Sequence, residues 1–169
     1  MDLIRDISEV EELAKSKEDE NWEFRSYLKR APFSGRLDIA VQELYRRISS
    51  QIDCRQCANC CKVISPILQE LDIQRLSSHL NLEPAVFRQR YLVFEEKEGG
   101  HYFREMPCPF LSDNLCSVYD HRPNDCRSYP HLHKKDFVFR LMTVVSNCSV
   151  CPMVFNVYEE LKSRFWRKK

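Results

Sequence analysis

The sequence predicts a mainly α-helical single domain whose irregular loops are bound by metal and which carries at most a small β-hairpin. Three observations predict it. Apolar residues recur at helical spacing in several stretches, strand-like runs are short, and four prolines and most of the nine cysteines fall where neither pattern holds. With 169 residues, 43% hydrophobic and 30% charged, the chain suits one globule with a real core, spanning 1–169. A helical lead-in, 1–53, is expected to pack on a cysteine-rich metal-binding region, 54–152. A C-terminal helix, 153–169, is expected to follow.

Leu3, Ile7, Val10 and Ala14 mark a first amphipathic helix. Trp22, Phe24, Tyr27 and Leu28 mark a short second one, ended at Ala31-Pro32 because proline keeps its predecessor out of the α region. Residues 32–35 read as a loop. The stripe Leu37, Ala40, Val41, Leu44, Ile48 and Ile52 is the strongest of all and predicts a third helix. Leu68, Ile73, Leu76 and Leu80 suggest another after Ser65-Pro66, and Pro84 to Tyr91 one more with proline in its first turn. Leu92 to Phe94 and His101 to Phe103, split by an acidic run and Gly99-Gly100, fit a hairpin. From Met106 to His133 the prolines at 107, 109, 123 and 130 indicate irregular loops that a metal can hold in place of a core. A last helix from about Cys151 carries Val154, Tyr158, Leu161 and Phe165 on one face.

Charge excludes some partners. Lys plus Arg number 26 against 25 acids, so the net charge of +1 offers no general attraction to nucleic acid. The one basic cluster, Arg164, Arg167, Lys168 and Lys169, sits at the end of the sequence. The first 20 residues interleave acids with apolar positions, which gives no secretory apolar core, and no later stretch is long enough to span a bilayer. No membrane partner is expected, and the location expected is the cytoplasm. Reducing conditions there disfavour disulfides, and an odd number of cysteines leaves one unpaired in any scheme.

The cysteines therefore read as metal ligands: Cys54, Cys57, Cys60, Cys61, Cys108, Cys116, Cys126, Cys148 and Cys151. Two thiolates three positions apart bend toward one centre across a tight turn, and Cys54-Cys57-Cys60 repeats that spacing. Adjacent Cys60 and Cys61 point to opposite sides if the backbone is extended. On that premise Cys54, Cys57 and Cys60 serve one site, and Cys61 joins a second drawn from the later cysteines. A single centre with the other thiols structural is the alternative, and Cys148 and Cys151, near predicted helix ends, suit a core role. CxxCxxC followed distantly by Cys-Pro is a ferredoxin-type pattern for an iron-sulfur cluster, while CxxC at 54/57 and at 148/151 equally fits zinc. One or two centres of iron-sulfur or zinc are thus expected. Arg55, Lys62, Arg122 and Arg127 stand beside ligand candidates to offset thiolate charge. His131 and His133 flank Leu132 and can supply nitrogen or face solvent; His79, His101 and His121 carry no motif. Pro123 suits a helix start that aims N–H groups at a thiolate.

The runs CRQCANCC, CPFLSDNLCSVYDHRPNDCRSYP and CSVCP together resemble the CxxCxxCC-type family of zinc- or iron-chelating proteins, over about Cys54 to Pro152. The lead-in ENWEFRSYLKR is similar to longer members. A similar cysteine pattern occurs in flagellin lysine methylases, where it accompanies an iron-sulfur cluster. The resemblance implies metal binding.

Three roles follow. An iron-sulfur-dependent enzyme, for methyl transfer or redox chemistry, needs no nucleotide cradle, and with glycine only at 35, 99 and 100 the chain has neither GxGxxG nor a P-loop. A zinc-stabilised module would bind a protein partner or nucleic acid, the latter against the balanced charge. A metal-binding protein whose centre is structural, redox-active or transferable needs only what the sequence contains, and is the reading preferred here.

Overall fold

The computed structural model describes residues 2–33 and 35–166. Arg167, Lys168 and Lys169 of the basic cluster, and Ser34 of the 32–35 loop, lie outside the described residues. In chain order the helices begin with α1 (Ile7–Ser16), α2 (Glu18–Arg30), α3 (Arg36–Ser49), α4 (Cys54–Cys57), α5 (Asn59–Val63), α6 (Glu70–His79) and α7 (Pro84–Tyr91). The strands follow, β1 (Leu92–Glu95), β2 (Gly100–Phe103), β3 (Leu111–Ser112) and β4 (Leu115–Cys116), then a 3-10 turn at Tyr119–His121 and α8 (Asn124–Ser128). A second 3-10 turn, Phe137–Arg140, leads into α9 (Leu141–Asn147) and α10 (Pro152–Phe165). The fold is mainly helical with two small antiparallel hairpins.

The chain groups into two compact units: residues up to Asp53 together with those from Pro130 onward, and Cys54–Tyr129. The first unit is a helical bundle around α10. Of the stripe the sequence marks on it, Val154, Tyr158 and Leu161 are buried and Phe165 is half-buried, and Leu37, Ala40, Val41, Leu44 and Ile48 on α3 are buried as expected. Phe24 meets the Tyr158 ring edge-on at 5.2 Å between centroids. Two polar side chains tie this core together. Tyr158 Oη donates to the Asn21 carbonyl at 3.0 Å, and Asn156 exchanges both backbone hydrogen bonds with Ile4, at 3.0 and 2.7 Å. Phe137, Leu141, Val144 and Val145 fill the same core from the 3-10 turn and α9. Residues 134–150 carry no clean stripe, and β-branched Thr143, Val144 and Val145 weaken helix propensity, so packing rather than propensity makes α9.

The second unit has its own core of Leu68, Ile73, Leu76, Phe87, Leu92, Phe103, Phe110 and Val118, with Cys108 and Cys116 packed against it. The expected β1–β2 hairpin is present, in register from Leu92 opposite Phe103 to Glu95 opposite Gly100. Leu68 is not helical as its spacing suggests. It bridges His101, donating its N–H to that carbonyl at 2.8 Å, and α6 starts after it with a capping box between Gln69 and Asp72. A Cβ on Gly100 would sit 2.9 Å from Ile67 Cγ2, so glycine lets the hairpin approach this segment. No single helix among the described residues is long and apolar enough to cross a membrane.

Candidate metal centre

Seven of the nine cysteines, Cys54 through Cys126, lie in the second unit; Cys148 and Cys151 lie in the first. No disulfide joins any of them.

The CxxCxxCC run forms two short helices, α4 and α5, rather than extended chain. Ala58 separates them in the left-handed region at φ 49°, unusual for a residue with a Cβ, and it is buried. This single residue stands between the two helices and redirects the chain between Cys57 and Cys60. The premise that adjacent cysteines face apart does not hold here. Cys60 and Cys61 both sit in α5, and a side-chain hydrogen bond from Cys60 pulls the Cys61 thiol down to about 7, against the opposing effect of burial. Adjacent helical residues diverge by roughly 100° rather than 180°, which leaves neighbouring thiols within reach.

Cys108 precedes the smaller hairpin of the fold and Cys116 ends it. β3 and β4 pair Leu111 with Cys116 and Ser112 with Leu115, across a two-residue turn, Asp113-Asn114, in which both residues have positive φ. Asp and Asn tolerate that conformation because their side chains bond locally, and the turn twist matches the strands. The pair Asp113-Asn114 was the legible signal for this hairpin, in a segment whose prolines suggest only loops. On each arm a backbone N–H two residues ahead reaches back to the sulfur: Phe110 to Cys108 and Val118 to Cys116. Such N–H groups favour the ionised thiolate.

The four thiols Cys61, Cys108, Cys116 and Cys126 lie within electrostatic range of one another. The Cys61 charge raises each of the other three, and Cys108 and Cys116 also raise Cys126. Burial is the largest cause at all three, pushing Cys108 up to about 11 and Cys126 up to about 12; Cys116 rises too, partly relieved by Arg122. Backbone links hold the group together: Cys108 donates its N–H to the Cys61 carbonyl at 2.9 Å, and Ile67 donates its N–H to Asp125, beside Cys126, at 3.2 Å. Among the described residues no three His, Cys, Asp or Glu side chains converge tightly enough to hold an ion as they stand. Cys61, drawn toward its thiolate, and three thiols that resist ionisation chiefly because they are buried and secondly because of one another's charge are nonetheless a donor set suited to a soft cation, whose charge offsets both penalties.

Two of the basic residues named from sequence share a partner. Arg122 stacks on the Tyr119 ring at 3.7 Å and Arg55 lies 6.0 Å from the same ring, so one aromatic side chain gathers two guanidinium groups between Cys54 and Cys126 in sequence. Pro123 does precede a helix, α8, on whose first turn Cys126 lies.

Cys148 is different. It is buried in the first unit at the end of α9, its Sγ donating to the Val144 carbonyl at 3.4 Å, and burial raises its pKa strongly. Cys151, also buried, caps α10 ahead of Pro152. His131 and His133 lie in the first unit as well; burial, with Lys134, His131 and Arg140, lowers the His133 pKa.

One family model, CxxCxxCC, described as "Putative zinc- or iron-chelating domain", matches residues 53–152. No curated protein and no solved structure matches the chain.

Proposed function

The chain belongs to this CxxCxxCC family of chelating domains, and on that premise we propose that its second unit holds a thiolate-bound metal centre built on Cys61, Cys108, Cys116 and Cys126. The observation that carries the proposal is the mutual electrostatic reach of these four thiols, brought from α5, the segment leading into β3, β4 itself and α8. A cysteine has one side-chain torsion, so rotation about χ1 is the movement by which these thiols would aim at a common ion. Cys54, Cys57 and Cys60, three apart on either side of the Ala58 break, extend the donor set and allow a second centre. Cys148 and Cys151 serve the first unit's core.

An iron-sulfur or iron centre is the reading preferred, supported by CxxCxxC with a distant Cys-Pro. The zinc reading is supported by the hairpin with its two N–H-to-sulfur contacts, which suits a closed tetrathiolate site. When bound, the metal supplies cross-linking of the loops and, if it is iron, an electron-accepting centre. The protein is placed in the cytoplasm, where thiols stay reduced and able to ligate. Methyl transfer, redox chemistry or a protein partner remain the roles such a centre would serve.

The test is purification without oxygen, followed by absorbance and metal analysis. A brown preparation with matched iron and sulfide supports the preferred reading; a colourless one with full zinc supports the second. Less than about half an equivalent of total metal per chain refutes the proposal.

A further inference from the structure

Asp72 is a carboxylate with no exposed surface, and the metal centre as described makes no use of it. Its Oδ2 accepts the Gln69 N–H at 3.1 Å, which completes the start of its own helix, α6. Its Oδ1 does something else. It accepts the backbone N–H of Asn124, the first residue of α8, at 3.0 Å, and Arg75 Nη2 at 2.5 Å. Arg75 in turn donates from Nε to the His121 carbonyl at 3.2 Å and from Nη2 to the Arg122 carbonyl at 2.9 Å. The ion pair therefore grips the turn 121–124 from both sides, the guanidinium taking its carbonyls and the carboxylate its N–H.

Two facts give this grip a purpose beyond capping α6. A helix cap is satisfied by a neutral, exposed side chain, whereas a fully buried carboxyl group is costly unless it is paired and bonded, as this one is. And α8, only five residues long, is too short to hold itself, so tertiary bonds must fix where it begins. Cys126 lies two residues beyond Asn124.

We infer that Asp72, paired with Arg75, is a positioning residue for the metal centre: it fixes the start of α8 and thereby the direction from which the Cys126 thiol meets Cys61, Cys108 and Cys116. The inference rests on the metal-centre reading above. Asp72 acts through the backbone of Asn124 and touches no ligand, the manner in which outer partners of metal sites set affinity.

Four full-length proteins test it: wild type, Asp72→Ala, Asp72→Asn, and Ile73→Val, which trims a buried residue of the same helix that packs into the core. Each is stripped of metal and reloaded with Co(II), whose visible bands report the geometry of its thiolate ligands. Band positions, the rate at which a chelator withdraws Co(II), and the thermal melt are then compared. Asp72→Ala is expected to shift the bands and to release metal about tenfold faster than wild type. Asp72→Asn keeps an acceptor for Asn124 but loses the charge facing Arg75, and is expected to fall between. Ile73→Val is expected to keep wild-type bands and release, even where its melt is lowered. Should Asp72→Ala fail to fold, Asp72→Asn carries the comparison. Wild-type bands and release in the Asp72 variants, or release rates that follow the melts across all four proteins, overturn the inference and leave the metal centre intact. A wild-type protein that takes up no Co(II) overturns both.

Discussion

Stripping the metal should leave four cysteines that react in a defined order. In the metal-free protein Cys61 stands at about 7, Cys108 at about 11 and Cys126 at about 12. Only thiolate is alkylated. At pH 7.5 roughly three quarters of Cys61 is thiolate, against about 3 in 10⁴ of Cys108 and 3 in 10⁵ of Cys126. Nucleophilicity falls with pKa at roughly 0.4–0.5 log units per unit, which returns about two of the four orders of magnitude. Cys61 should therefore react about a hundredfold faster than Cys126 and some tens of times faster than Cys108. The pH dependence is sharper still. From pH 7 to 9 the Cys61 rate should rise only about twofold, since it is half ionised at the start, while Cys108 and Cys126 should rise about tenfold per unit. The assay is a timed iodoacetamide reaction of stripped, folded protein, read by peptide mass spectrometry beside a urea-unfolded control. Equal rates for the three thiols in protein that keeps its helical circular dichroism, or a common pH slope, would refute both the burial argument and the clustering inferred from it. In metal-loaded protein all four, Cys116 included, should be protected together.

Other outcomes follow from the same geometry. Cys61→Ser or Cys126→Ser should cut bound metal to below half the wild-type content by elemental analysis, while Cys148→Ala should leave it unchanged. Metal affinity should fall as pH falls, because burial holds Cys108, Cys116 and Cys126 protonated and ligation must release those protons; the expected loss is up to about tenfold per pH unit per proton, and an affinity flat between pH 6.5 and 8.5 would contradict it. Asn156→Ala should destabilise the first unit by about 2–3 kcal/mol in urea unfolding, since it removes two bonds to Ile4 and one to the Pro152 carbonyl.

Periodicity made the larger helices legible. The α3 stripe and the α10 face are strong because each side chain on them is decided by burial alone. The β1–β2 hairpin was readable for a similar reason, a glycine pair between two apolar runs. What sequence could not supply was which thiols meet. Spacing groups Cys54, Cys57 and Cys60, yet Cys61, besides its bond with Cys60, acts electrostatically on thiols at 108, 116 and 126, two of them set about a two-residue turn that no cysteine spacing encodes. The local conformation at Cys60-Cys61 was misread because a left-handed alanine, which nothing in composition announces, restarts a helix just before them. Leu68 misled for the opposite reason: its spacing fits α6, but a backbone bond to His101 claims it for the hairpin.

The first unit is made from two separated stretches of chain with the cysteine-rich unit between them. A ribosome delivers such a molecule in a fixed order: α1 to α3, then all seven thiols of the second unit, then α9 and α10. The buried face of α3 has no α10 to cover it until that whole insert has emerged, a wait of several seconds at roughly 5–20 residues per second. An insert already knitted by metal emerges as a compact body, whereas an empty one is a long loose loop. Scarcity of metal would therefore be felt first by the nascent chain, as a bundle left waiting for its last two helices.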